Sequence, residues 1–365
     1  MRTLGCVACV ALGACSFSGP DGAAIDGSPG GELAPPDTPP DAQQCFGSGL
    51  GMLCLSSAPT APRMLEGTID TGIDQNCSEV ITVGGTLSCV IAGTTVTVAN
   101  GKTYRGIGSR PLVIVAGTRL TVAGTLTVGS PRGMQPGAGA STASCTAPTA
   151  PQDDTGGAGG GAGGSFAGLG GDGGKGDLND SAPPTGSANG GVHAAALAAI
   201  PTLRAGCAGA NGGDAGGAGQ GAGGAGGGAI YLLAGETITI SGRVSAFGAG
   251  GDGARDQSGG GGGGSGGMIG LDAPTVTVSS SSGKVTANGG GGGEGGGLSA
   301  ARCVPGDDGP TDGARASGGR RPVADGGITD GGNGGSSSGN GGGTQLNGNT
   351  GGGDNGGGGG GGGGA

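Results

Sequence analysis

Apolar and small polar residues alternate in two similar stretches of this chain, 230–246 and 269–287. The first reads Ile-Tyr-Leu-Leu-Ala-Gly from Ile230, then Ile-Thr-Ile, then Gly-Arg-Val-Ser-Ala. The second reads Ile-Gly-Leu-Asp-Ala-Pro from Ile269, then Val-Thr-Val, then Gly-Lys-Val-Thr-Ala. Alternation with a period of two, interrupted by small or turn-forming residues, is typical of half-buried β-strands. Each stretch therefore predicts three short strands.

The same pattern recurs upstream, at 112–128 and, with a poorer third side around Tyr104, from Val90. Similar consecutive units bury a common face by stacking on one another. The repeats therefore predict an all-β fold: a short right-handed parallel β-helix of about four coils with three strands each. One turn would run from Ala92 to Ala116. The predicted inward residues of the last three coils are Leu112, Ile114, Leu120, Val122, Leu126, Val128, Ile230, Leu232, Ile238, Ile240, Val244, Ala246, Ile269, Leu271, Val276, Val278, Val285 and Ala287.

The main alternative is a β-sandwich built from hairpins. The corners that begin at Ala116 and Ala234 lack the two-residue Asn-Gly type of turn that favours hairpins. The spacing of the repeats also favours the β-helix, with coils at 80–130 and 229–288. Because the open strand edges of such a stack need covering, we assign a cysteine-containing cap to 45–79 and expect a second cap from the tail.

Threonines flank the inward residues of the second strand in each coil. Stacking would align them in two outward columns, broken once by Arg119; the members are Thr95, Thr97, Arg119, Thr121, Thr237, Thr239, Thr275 and Thr277. This arrangement resembles ice-binding β-helices, in which a flat threonine array orders water. The simpler interpretation is that threonine is a favoured solvent-facing residue on strands.

Glycine-rich sequence fills the intervals at 131–228 and 248–267 and the tail at 289–365, so that 105 of the 365 residues are glycine. All three stretches begin after the third strand of a repeat and would leave the coils at one corner. They form either flexible loops or polyglycine-II helices, which are extended, threefold and able to stack; for the last thirty residues we expect disorder. The composition is similar to that of PE-PGRS-type surface proteins and the glycine-rich tips of phage adhesins. Since the N-terminal domain of the PE-PGRS family is missing, the resemblance implies no activity.

The chain begins with Arg2, a short apolar run from Leu4 to Leu12, and then Gly13, Ala14 and Cys15. Such a run is too short to span a bilayer and indicates an export signal. The sequence Leu12-Gly13-Ala14-Cys15 resembles the lipobox of bacterial lipoproteins. That resemblance implies a signal peptide at 1–14, lipidation of Cys15, and a place in the cell envelope, at the outer membrane or cell surface. The alternative is an ordinary signal peptide cleaved elsewhere.

Proline-rich residues 15–44 are expected to form a disordered tether behind the lipid. An exported chain meets oxidising conditions, so we expect its later cysteines to form disulfides. Proximity in the sequence suggests the pairs Cys45–Cys54, Cys77–Cys89 and Cys145–Cys207. The seventh cysteine, Cys303, is then left over, unless the pairing differs.

Catalytic or ligand-binding constellations are not evident in the sequence. The net charge of −10 without a basic stripe argues against nucleic acid, and a single histidine, His193, cannot form a histidine-rich metal site. Parallel β-helices resembling pectate lyases use several carboxylates on one strand face, but here Glu236 and Asp272 are isolated. The glycine–aspartate runs miss the spacing of calcium-binding nonapeptides. We therefore predict no catalytic residue, no metal and no cofactor.

These observations predict a lipid-anchored surface protein that is structural or adhesive and is not an enzyme. Its expected partners are the membrane, through the N-terminal lipid, and an extracellular polysaccharide or another surface component. The alternatives are a β-helix enzyme that acts on polysaccharide, and an ice-binding or calcium-binding surface protein.

Overall fold

The computed structural model describes residues 44–140, 145–176, 188–217, 219–297, 302–320, 330–332, 334–335 and 357–363. The predicted signal peptide, Cys15 and all but the last residue of the predicted tether lie outside these residues. Apart from a 3-10 turn at Asp74–Asn76, the regular structure of the described part consists of strands. They are β1 (Gln44–Phe46), β2 (Leu53–Leu55), β3 (Arg63–Met64), β4 (Gly67–Asp70), β5 (Glu79–Val83), β6 (Thr86–Val98), β7 (Thr103–Ile107), β8 (Leu112–Val122), β9 (Thr125–Thr127), β10 (Ala229–Ala234), β11 (Thr237–Ile240), β12 (Arg243–Ser245), β13 (Met268–Asp272), β14 (Thr275–Val278) and β15 (Lys284–Thr286).

The strands form three sheets in which parallel pairing dominates. An eight-stranded sheet has the order β13-β10-β8-β11-β14 and continues from β8 to β6, which also pairs with β3 and β5. A five-stranded sheet has the order β15-β12-β9-β7-β4, and β1 pairs with β2 alone. Only the β1–β2 and β5–β6 pairs of the described strands are antiparallel.

The sequence repeats lie beside one another in register. Ile230 is opposite both Leu112 and Ile269, and the two later strands of each repeat are aligned in the same way. A slip of one residue would turn every apolar side chain away from the core, so the alternating pattern specifies this register. The predicted strands and their parallel pairing are therefore present.

The closed right-handed parallel β-helix of about four coils with three strands each is nevertheless wrong. The sheets are not closed or curled into a solenoid. The first two predicted strands of a coil are continuous in β6 and in β8, where the supposed corner at Ala116 and Gly117 lies inside the strand. The chain that follows β9, β12 and β15 is glycine-rich. Because glycine has no side chain to bury, this chain does not form the third half-buried sheet that a closed coil would need.

A hydrophobic core lies between the inner faces of the two larger sheets. The predicted inward residues from Leu112 to Val128 and from Ile230 to Ala246 are at most 1% exposed. The third set is more open: Ala287 is buried, but Val276 and Val278 on β14 are 41% and 42% exposed. The expected second cap therefore does not cover these two side chains.

A second apolar cluster covers the opposite face of the eight-stranded sheet. Phe46 and Leu53 of the β1–β2 pair pack there with Val113, Tyr231 and Leu233. Because both faces are covered, Leu112–Ala116 is buried without interruption, as is usual for parallel strands buried on both sides. The strands β3 and β4, which lie among the residues predicted as a cap at 45–79, pair with the edges of β6 and β7.

Candidate functional site: a glycine bundle bonded through the main chain

The segment Ser258–Gly267, which we call the central segment, is buried and donates hydrogen bonds to three neighbouring segments in strict rotation. Every third N–H points to the same neighbour, and the nine N···O distances are 2.7–3.0 Å. The three neighbours are 207–213, 246–252 and 357–363. The donor–acceptor pairs are Gly259–Gly213, Gly262–Ala210, Ser265–Cys207, Gly260–Gly357, Gly263–Gly360, Gly266–Gly363, Gly261–Asp252, Gly264–Ala249 and Gly267–Ala246.

Carbonyl oxygens of the central segment accept hydrogen bonds from three further segments, 158–164, 221–227 and 290–296. The donors again recur every third residue; they include Gly161 and Gly164, then Gly221, Gly224 and Gly227, and then Gly290, Gly293 and Gly296. We call the central segment and its six neighbours the glycine bundle. A chain with three residues per turn and no internal hydrogen bonds has its N–H and C=O groups available to surrounding chains. These segments therefore adopt the polyglycine-II alternative rather than the flexible-loop alternative.

Glycine is required in the middle of the bundle because the chains lie too close together for a side chain. Six consecutive glycines occupy 259–264. A Cβ atom on Gly262 would overlap the carbonyl oxygen of Ala162, and one on Gly261 would overlap that of Ala222. The neighbouring segments carry alanines where space exists: Ala222 is exposed and Ala225 is half-buried. Glycine is therefore required in the middle of the central segment, whereas the neighbouring segments also accommodate alanine.

The 357–363 segment shows where the expectation of disorder fails. All seven residues are buried, and each makes a main-chain hydrogen bond, with the glycine bundle or, at Gly358 and Gly361, with the 171–174 segment, so disorder is the wrong prediction for this part of the last thirty residues. The rest of those thirty residues, 336–356 and 364–365, lie outside the described part of the chain.

Acidic side chains at the surface of the glycine bundle connect its segments. Asp308 accepts hydrogen bonds from the N–H groups of Arg132 and Gly250, at 2.9 and 3.0 Å. Asp252 forms ion pairs with Arg132 and Arg302, at 3.2 and 3.5 Å. These contacts join the loop after β9 to the 246–252 segment and to the chain beyond 302.

His193 has a carboxylate partner that the local sequence does not reveal. Its Nδ1 lies 2.7 Å from Oδ1 of Asp172, which also accepts the backbone N–H of His193 at 2.9 Å. Both side chains are about one-third exposed. Because Asp172 holds both the ring and the backbone of His193, the pair fastens the glycine segment around 172 to the segment around 193.

Asp272, which is isolated in the sequence, holds the loop after β1 against the sheet. Its Oδ2 accepts hydrogen bonds from the N–H groups of Ser48 and Gly49 and from the hydroxyl of Tyr231, at 2.7, 2.8 and 2.8 Å. Burial alone would raise the pKa of Asp272, but these three donors together outweigh it and hold the pKa below its usual value. Burial, with the hydrogen bond to Asp272, raises the pKa of Tyr231 to about 12.

Three disulfides connect Cys45 with Cys54, Cys77 with Cys89, and Cys145 with Cys207. These are the pairings expected from proximity, so the disulfide prediction is confirmed. The first two stabilise the chain before and within β6, and the third ties the loop at 145 to the 207–213 segment of the glycine bundle. Cys303 is buried, and its N–H donates to the carbonyl oxygen of Ala254.

The threonine columns are aligned as the repeats predict. Thr95, Arg119, Thr237 and Thr275 are neighbours across adjacent strands, and so are Thr97, Thr121, Thr239 and Thr277. Successive members of a column are therefore separated by the strand spacing of about 4.8 Å. The described side chains of this face are half-buried or exposed, and its row of hydroxyl groups is interrupted by Arg119 and at Thr237, whose hydroxyl is buried.

The described residues contain no group of three or more histidine, cysteine or acidic residues placed to hold a metal ion. Within the same ranges, no helix is long and apolar enough to cross a membrane. Comparisons of the chain with protein-family models, curated proteins and solved structures found no match.

Proposed function

We propose that this chain is a lipid-anchored cell-surface protein whose glycine bundle is a rigid body for display or adhesion, without catalytic activity. The observation that carries the proposal is the bundle itself. Its centre is filled by main-chain hydrogen bonds, and the charged side chains that we located on it link one segment to the next. This is the organisation of a structural scaffold.

The anchor is inferred from the sequence at Leu12–Cys15, which resembles a lipobox. The three disulfides are consistent with export, because such bonds persist in oxidising compartments. Their positions also suit a displayed protein, since crosslinks at loops limit local opening of the chain.

The absence of catalytic activity is proposed because the candidate carboxylates are bound to other groups of the protein. Hydrolysis of polysaccharide needs two carboxyl groups that face one another across a substrate cleft. Asp272 is bound to Tyr231 and to the loop after β1, Asp252 to arginines, and Asp172 to His193. An assay of new reducing ends with envelope polysaccharides should give no signal above a heat-denatured control, and sustained turnover would contradict the proposal.

Replacing the proposed lipid acceptor is the direct test of the anchor. Cys15→Ala should move the protein from the membrane fraction to the soluble fraction and abolish labelling by a fatty-acid probe. Cys9→Ala is the matched control, because Cys9 lies in the same apolar run and should leave both readouts unchanged. If Cys15→Ala stays at the membrane with its label, the anchor is wrong.

Surface display is tested on intact cells. A protease added outside should remove the protein from wild-type cells, and globomycin should cause accumulation of the unprocessed precursor. Protection until the cells are lysed would contradict surface exposure. Binding of the purified protein to a panel of immobilised extracellular polysaccharides would then identify the adhesive partner.

A role in ordering water at an ice surface is the second candidate, and the in-register threonine columns favour it. The test is inhibition of ice recrystallisation by the wild type and by a Thr121→Leu, Thr239→Leu variant. The same replacement at Thr68 and Thr82, which lie outside the columns, is the control. Equal activity of all three proteins, or no activity of the wild type, would exclude this role for the threonine face.

A further inference from the structure

The 357–363 segment lies in a slot formed by five other segments of the chain. It donates hydrogen bonds to carbonyls of 158–164 and 290–293, and it accepts them from N–H groups of 171–174, 260–266 and 332–335. Gly357, Gly360 and Gly363 donate to Ala158, Gly161 and Gly164, while their carbonyls accept from Gly260, Gly263 and Gly266, all at 2.8–3.0 Å. The slot therefore recognises both kinds of main-chain group on an extended threefold chain.

The shape of the slot admits only glycine. A Cβ atom on Gly359 would overlap the carbonyl oxygen of Gly261, and one on Gly362 would overlap that of Gly264. On the remaining sides, Cβ atoms on Gly357 and Gly360 would overlap the carbonyl oxygens of Gly174 and Gly171. The ligand that fits the slot is thus defined chemically: an extended run of at least seven glycines.

The contacts in the slot do not depend on which copy of the chain supplies the glycine run. All of the hydrogen bonds described above are made by main-chain groups, and residues 356–364 are nine consecutive glycines. The run is longer than the seven residues seated in the slot, so several registers satisfy the same threefold pattern. The corresponding run of a second copy would make the same contacts.

The length of chain before the run is also more than the connection within one copy needs. Gly335 donates to Gly362, so it lies about 16 Å along a threefold chain from Gly357, at about 3.1 Å per residue. The residues from 336 to 356 could span about 70 Å when extended. The surplus is sufficient to carry the run to the slot of an adjacent molecule.

We propose that the slot is a docking site for a polyglycine strand, filled either by the chain's own 357–363 segment or by that of a second copy, so that neighbouring molecules are linked by exchange of this run. The inference is independent of the lipid anchor and of the adhesive role. Exchange of the run allows copies of the protein to associate through main-chain hydrogen bonds, without an interface made of side chains.

The slot is tested in the full chain by blocking its own occupant. Gly359→Val with Gly362→Val should leave the strands, the three disulfides and the circular dichroism of the sheets in place but empty the slot. A labelled peptide with the sequence of residues 351–365 should then bind at least tenfold more tightly than the same peptide carrying both valines. Equal binding of the two peptides, or binding of neither by the folded variant, would overturn the proposal.

Exchange between copies is tested with wild-type protein, which does not depend on that variant. Tagged and untagged chains are unfolded and refolded together with their disulfides intact, and the tag is captured. Untagged chain should be recovered with the tag, and excess 351–365 peptide present during refolding should reduce that recovery at least tenfold. Absence of co-capture, or co-capture that the peptide does not reduce, would show that the run stays in its own molecule.

Discussion

The sheets and the glycine bundle are both sets of chains lying side by side, yet they hold together in opposite ways. In the sheets, side chains fill the space between layers: Leu112, Ile230 and Leu232 are fully buried in the core. In the bundle the central segment has no side chain at 259–264, and main-chain hydrogen bonds run from Ser258–Gly267 to six neighbours. Packed side chains thus stabilise the sheets, whereas in the bundle the absence of side chains allows the main chains to lie close enough to hydrogen-bond.

This difference has a consequence for mutation. In the β-region the damaging change is the removal of atoms, because a cavity remains where packing was dense. In the bundle the damaging change is the addition of atoms, because a single methyl group meets a carbonyl oxygen of the next chain. The two regions should therefore respond with opposite sensitivity to the size of a substituted residue.

The largest effect is expected from a cavity in the β-region. Leu232 on β10 is 0% exposed and lies opposite Ile114 and Leu271. Leu232→Ala should lower the free energy of unfolding by about 2–5 kcal/mol, measured by chemical denaturation. Leu87→Ala is the control, since Leu87 is 51% exposed, and should change it by no more than about 0.5 kcal/mol. Similar losses at both positions would contradict the assignment of the core.

The complementary change in the bundle is the addition of one methyl group. Gly262→Ala should destabilise the chain by about 1–3 kcal/mol, the usual range for overpacking, because the new Cβ overlaps the carbonyl oxygen of Ala162. Gly217→Ala is the matched control: nothing lies within 4 Å of its Cβ position, and a compatible Gly→Ala change is neutral or stabilises by up to about 1 kcal/mol. Equal tolerance at Gly262 and Gly217 would refute close packing at the central segment.

These two regions also differ in how far sequence could predict them. Alternation identified the buried faces and the alignment of Ile230 with Ile269, since a strand pattern is local. It could not show whether the sheets close, because the same alternation suits open and closed sheets. The closed β-helix failed for that reason, at the continuous strands β6 and β8.

In the glycine bundle, the partners of one segment are dispersed along the chain. Residues hydrogen-bonded to the central segment lie near 160, 210, 224, 249, 293 and 360, and glycine sequence carries no side-chain pattern that would pair them. One signal was present: the two longest uninterrupted glycine runs, 259–264 and 356–364, include most of the central segment and all of the 357–363 segment. The contact of His193 with Asp172 had no comparable signal, since it depends on how two glycine segments pack.

A smaller effect is expected where a side chain links the β1 loop to the β-region. Asp272→Asn should cost about 1 kcal/mol through weaker hydrogen bonds to Ser48 and Gly49, whereas Glu236→Gln at an exposed position should cost less than about 0.5 kcal/mol. Since folding lowers the pKa of Asp272 from 3.8, its contribution is complete above that unfolded value and is lost as the pH falls through the folded value. The difference between the wild type and Asp272→Asn should therefore be present at pH 6 and shrink in acid. A difference that grew in acid would contradict this role.

Hydrogen exchange resolved along the chain tests the central claim, that the glycine segments form an ordered bundle bonded through the main chain. Amides of Ser258–Gly267 should be protected to the same extent as those of Ala229–Ala234 in β10, because each is buried and hydrogen-bonded. Exposed Gly216 and Gly217 provide the reference for weak protection. Exchange of the central segment at the rate of an unstructured chain, with β10 still protected, would contradict the bundle.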